Sequence, residues 1–177
     1  MLAKRKMLLL KICAPAACFL IGLGASFAIL SPIRASSAAA LTAAAPSASD
    51  PWTSSETIQP TEIANDLKNE KASEKPIVVC VGFRTLFEGA HVPGAIFRGA
   101  ASTPEGLEDL KHWARSAPRS AHIVIYCGCC PLSHCPNIRP AFNLLHSMGF
   151  THLRVLLLPQ DFASDWVAKG YAVEKGK

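Results

Sequence analysis

Three short apolar runs constrain this chain more than anything else in it: "PIVVCVG" (76–82), "HIVIYC" (122–127) and "HLRVLLL" (152–158). Each is too short for a buried helix. Each is also too continuously apolar for a strand with one wet face, so each reads as a strand covered on both sides. Helical patterns lie between and around them. "TPEGLEDLKHWARSA" (103–117) opens at Pro104 and turns Leu107, Leu110 and Trp113 inward. "NIRPAFNLLHSMGF" (137–150) takes Asn137 as its N-cap, tolerates Pro140 in the first turn and stops at Gly149. "TIQPTEIANDLKNE" (57–70) suggests a short helix capped around Thr61, with Ile63 and Leu67 on its apolar face. "HVPGAI" (91–96) is turn punctuation before a brief apolar segment, and "QDFASDWVAKG" (160–170) is a last short helix ending at Gly170. Strands alternating with helices predict an α/β fold, a parallel sheet flanked by helices.

Charge separates an N-terminal segment from the body. Of 18 Lys and Arg, five fall in the first 34 residues, and no acid precedes Asp50, so the remaining 13 balance the 13 acidic residues. A neutral body carries no electrostatic footprint for nucleic acid. The basic "AKRK" followed by "ICAPAACFLIGLGASFAIL" (12–30) has the outline of an export signal or membrane anchor. Small residues around Ala38, Ala43 and Ala45 offer cleavage sites, which favours a cleaved signal. Either outcome places the body outside the cytoplasm, periplasmic or membrane-anchored, with membrane contact only through an uncleaved first segment. Residues 1–38 are assigned to this segment, 39–56 to an Ala/Ser/Pro-rich linker, and 57–177 to the folded domain.

The chemistry is concentrated in "IVIYCGCCPLSHCPN" (123–137). In a parallel α/β sheet, ligands gather where strand C-termini meet the starts of the following helices. Cys127 ends the second buried strand, and Asn137 opens the next helix. The loop from Gly128 through Cys129, Cys130, His134 and Cys135 therefore lies over that crevice, with Arg139 just beyond it. Backbone N–H groups converge there and favour a thiolate, so Cys127 is a candidate nucleophile by position. Cys80, at the end of the first buried strand, reads first as a small buried hydrophobe, with a place beside the same crevice as its second reading. His91 reads as an imidazole fixing its turn by a backbone hydrogen bond.

The ordered set of "GAHVPGAI", "IVIYC" plus loop, "GF" and Trp166 with "GYAV" (170–173) resembles a rhodanese-like domain from about Thr57 to Val173. The resemblance implies a sulfurtransferase or persulfide carrier. Cys127 would take sulfane sulfur from a small donor such as thiosulfate and pass it to a thiol or cyanide-type acceptor, without a cofactor. Two positions depart from the family pattern. The active-site loop is five residues longer, so the helix-opening position that often carries arginine falls on Asn137. The family's Asp-x-Arg falls on Cys80 and Gly82, leaving Arg84 to supply a charge from a shifted backbone.

Other readings of the same loop stand beside this one. Cys127, Cys129, Cys130 and Cys135 are soft ligands for zinc or an iron–sulfur cluster, with His134 a further donor. Their spacing argues against that, because Cys129 and Cys130 are adjacent and hard to aim at one ion, and no metal is assigned. Two of the seven cysteines, Cys13 and Cys18, lie in the leader, and the five left in the body are an odd number. A loop disulfide joining Cys129 or Cys130 to Cys135, with Cys127 free, is the expected state. A phosphatase or arsenate reductase is disfavoured, since Tyr126 precedes the cysteine and no arginine closes the loop.

Overall fold

The computed structural model describes residues 50–69 and 75–176. The leader and the first part of the linker lie outside them. Five strands form one parallel sheet: β1 (Thr57–Ile58), β2 (Ile77–Cys80), β3 (Ile96–Phe97), β4 (Ile123–Tyr126) and β5 (Leu153–Leu156), in the order β1-β5-β4-β2-β3. The three apolar runs are the three inner strands. All four residues of β4 are buried, as a central strand with helices on both faces requires. The outer strands are two residues each, too brief to leave a periodic signal; β1 pairs Ile58 with Leu156, and β3 pairs Ile96 with Val79.

Side chains alternate across the sheet and divide the core in two. Val79, Val81, Ile123, Ile125 and Cys127 face α3 (Pro104–Ser116) and α4 (Ile138–Ser147), packing on Leu110, Ala114, Ile138, Phe142 and Leu145. Val78, Cys80, Val124 and Tyr126 face the other way. They meet Ile63 of α1 (Pro60–Lys68), Phe87 of α2 (Arg84–Gly89) and Phe162 of α5 (Phe162–Asp165), with Trp166 just beyond. Leu107 and Trp113 of α3 sit at the edge of the first core; Gly106, Leu110 and Ala114 carry the fully buried contact.

Several local expectations are corrected. The cap of α1 is at Gln59, whose N–H is taken by the Glu62 carboxylate at 2.9 Å, because Pro60 holds the first helical position and moves Thr61 inside the helix. α2 escaped notice because it is one short turn and a half whose Leu86 stays in solvent. Residues 50–56, placed in the linker by composition, pack on the body: Trp52 is buried edge-on against Phe142, their ring centroids 5.6 Å apart.

The C-terminal signature closes on the His91 turn. The Trp166 indole donates to Ala172 O at 2.8 Å, and His91 and Glu174 exchange backbone hydrogen bonds at 2.9 Å each. The Glu174 carboxylate accepts the Gly94 N–H, and His91 Nδ1 donates to Phe87 O at 2.7 Å while its ring stacks on Phe87. His91 thus braces α2 and the chain terminus, away from the sulfur cluster.

If Trp52 is part of the folded body, Trp52→Ala should lower the urea-unfolding stability of the full chain by about 3 kcal/mol. A change within error would return residues 50–56 to the linker.

Candidate active site

Cys127 stands one residue past β4, on the face that continues Ile123 and Ile125. Two glycines let it sit there. At Gly82 an added Cβ would come within 2.8 Å of Cys127 O and 3.1 Å of its Sγ. At Gly128 the backbone turns into the left-handed region (φ +72°), and its carbonyl accepts the Phe162 N–H at 3.1 Å, locking the loop onto α5.

The sulfurs are gathered. The Sγ atoms of Cys127, Cys129 and Cys135 all lie within 4.8 Å of one another, with Cys127 to Cys129 at 3.0 Å and Cys129 to Cys130 at 3.3 Å. All five cysteines of the body are free thiols, so the expected loop disulfide is not formed. Sulfurs sharing one zinc ion at about 2.3 Å would stand roughly 3.8 Å apart in a tetrahedron. The two shortest separations here are those of hydrogen-bonded thiols. Cys127, Cys129 and Cys135 are the residues whose distances would permit a soft ion, while His134 is exposed and bonded to the Ser133 hydroxyl.

Asn137 is not the side-chain cap of α4. Fully buried, it is already helical (φ −92°, ψ −37°), and its amide serves the site instead. Oδ1 accepts the Ser102 N–H at 2.8 Å, and Nδ2 donates to Cys127 Sγ at 3.3 Å and more weakly towards Cys129 Sγ at 3.9 Å. The helix start is capped by sulfur. Cys135 Sγ accepts from Cys127 and from the backbone N–H groups of Asn137 and Ile138, which hold its thiol down to about 6. Cys127 moves the opposite way: its hydrogen bond to Cys135, then burial, raises it strongly. Within this pair the shared hydrogen bond raises Cys127 and lowers Cys135, and the helix-start amides act with it on Cys135. Burial and the bond with Cys129 push Cys130 up to about 12, and burial pushes Cys80 up to about 11.

The guanidinium groups are turned away. Arg84 is exposed, pairs with Glu88 at 3.9 Å and lies over the Phe97 ring, so it supplies no charge to the site. Arg139 braces the back of the loop, donating to the carbonyls of Leu132, Ser133 and Cys135 and to the Asp50 carboxylate, with Trp52 beneath it. Cys80, 2 % exposed beside Tyr126, borders a cleft of about 370 Å³ that opens onto Cys127 and Cys129 between α2 and α5. Leu86, Ala90, Phe162 and Val167 line this cleft, and none of them was singled out by sequence. Only the aliphatic-aromatic spacing of "RTLFEGA" and "FASDWV" carries any signal of it.

The assignment of charge can be titrated. Thiolate absorbance of the reduced protein should rise with a midpoint at about 6, because deprotonation of Cys135 is the first ionisation on raising pH. Cys135→Ser should remove that step; its persistence would place the thiolate elsewhere.

No protein-family model matches the sequence, and no curated protein matches it. Solved structures do. The Alr3790 protein of Anabaena sp. is 21% identical, with a TM-score of 0.51 over 67% of this chain and 82% of that one. The BH2092 protein of Bacillus halodurans is 21% identical, with a TM-score of 0.53 over 68% and 77% of the two chains. A solution structure of the Alr3790 rhodanese-like domain is 22% identical, with a TM-score of 0.49 over 68% and 79%. Identities this low speak to the fold alone: the parallel sheet and helices described above share the fold of the Alr3790 and BH2092 structures, the rhodanese-like fold.

Proposed function

We propose that this chain moves sulfane sulfur through a persulfide on Cys127, which lines both the open cleft and the gathered sulfurs. One observation carries the reading. Cys127 lies where an open cleft meets the gathered sulfurs, its Sγ 3.0 Å from Cys129 Sγ and 3.3 Å from the Asn137 amide nitrogen. Cys135 is 2 % exposed and does not line the cleft, so a donor in the cleft meets Cys127 and not Cys135. Cys127 gives its proton to solvent in the cleft. Cys127 sulfur then attacks the outer sulfur of the donor, forming one S–S bond as the donor's own bond to that sulfur breaks and its carrier leaves with the electron pair. A thiol acceptor reverses the exchange. The Asn137 amide, 3.3 Å from Cys127 Sγ, donates to the sulfur while it is anionic. Likeness to rhodanese-like folds supports the class of reaction, and the crowding of Cys129 beside Cys127 suits handing the sulfur onward.

We also read the protein as exported, on the basic and apolar character of residues 4–30. N-terminal sequencing of the mature protein is the check: a start between residues 36 and 46 in the extracytoplasmic fraction is expected, and an intact N-terminus in the cytosol refutes it.

Intact-mass analysis after exposure to a sulfane donor should show one added sulfur, mapped to the peptide holding Cys127. Cys127→Ser should abolish it. Loading should quicken as pH rises, because the bond to Cys135 and burial hold Cys127 protonated at neutral pH. Loading that survives Cys127→Ser would end the proposal.

A further inference from the structure

The cleft that leads to Cys127 is unlike a site for an inorganic oxyanion. Leu86, Ala90, Phe162, Ala163 and Val167 make its walls, and among the described residues lining it none is Lys, Arg or His. Its one charged lining residue is Asp161, whose carboxyl is held below its usual range by the Ser164 N–H and is therefore negative. The groups that might have offset a dianion are committed elsewhere. Arg84 lies on Phe97 and Glu88, Arg139 on Asp50 and the loop carbonyls, and the N–H groups of Asn137 and Ile138 on Cys135 Sγ. A sulfur donor carrying two negative charges would face the Asp161 carboxylate with no cation among the described residues that line the cleft. An apolar group of about ring size is what the walls and the volume of about 370 Å³ accommodate.

We infer that the donor for this site is an organic sulfane-sulfur compound with an apolar carrier group, seated between α2 and α5, and not thiosulfate. This rests on the reading of Cys127 as sulfur acceptor and specifies its substrate class. The walls hold the carrier, and its terminal sulfur points at Cys127. The new Cys127 S–S bond forms as the bond between the donor's carrier and its outer sulfur breaks. The carrier departs as a thiolate, which takes its proton from solvent in the cleft, or as a sulfinate if the donor is a thiosulfonate. Oxidation levels balance, since one sulfane sulfur moves and no electrons are gained or lost.

Thiosulfate and benzenethiosulfonate make a matched pair for the test. Both present a sulfane sulfur on sulfonyl sulfur, but the second replaces one anionic oxygen with a phenyl ring. Loading of the full-length chain would be followed by mass spectrometry, each rate divided by that of the same donor with free cysteine. Benzenethiosulfonate is expected to load Cys127 at least about tenfold faster on this scale, the discrimination one seated apolar group provides. Leu86→Arg, at a position 51% exposed on the cleft wall, should narrow that preference by speeding thiosulfate and slowing the aryl donor. Equal or faster loading by thiosulfate, or a preference unchanged by Leu86→Arg, overturns the inference while leaving Cys127 as acceptor. Failure of both donors to load Cys127 brings down the persulfide reading, and this one with it.

Discussion

A strand buried on both faces has no freedom in where its side chains go, and β4 is such a strand. Once Val124 and Tyr126 are committed to the α1–α2–α5 side, Ile123, Ile125 and Cys127 must face α3 and α4. A one-residue slip would exchange the two sets and bury Tyr126 against α4, so register is set by the whole core and not by the loop. The sulfur is delivered to the start of α4 by packing. What the loop adds is the company it keeps there.

That company works as one unit. Asn137 ties Cys127 to the N–H of Ser102, at the entry to α3, while Cys135 receives the α4 N–H groups that an N-cap side chain would ordinarily take. The helix therefore begins on a sulfur, and its partial positive charge is spent on holding that sulfur anionic. Cys127 in turn is a buried thiol whose proton is held by its bond to Cys135 and by burial. Behind the loop, Arg139 gathers three carbonyls and the Asp50 carboxylate, fixing a long connection that would otherwise have little to hold it.

Much of this was legible in the residues and some was not, for physical reasons. β2, β4, β5, α3 and α4 announce themselves because apolar continuity and periodicity are properties of neighbouring residues. β1 and β3 do not, because two-residue strands acquire their pairing from partners far along the chain. The crowding of cysteines between 127 and 135 is plain in the text, and so is their position over a helix start. Which of them bears the charge is not. That depends on which sulfur the N–H groups of Asn137 and Ile138 reach, and on an Asn137 amide committed to a residue 35 positions away. Trp52 was concealed by its setting, since Ala, Ser and Pro around it look like a tether although its ring is core.

The close approach at Gly82 has a consequence for how such a centre can change. In the likeness drawn from sequence, this is the place where a guanidinium would stand, yet here the Cys127 carbonyl and sulfur fill the space a first side-chain carbon needs. A guanidinium cannot be added at that spot without moving the end of β4, because the atoms in its way are those of Cys127 itself. Any cation serving this crevice has to enter from another element, since the strand that delivers the sulfur is what shuts it out.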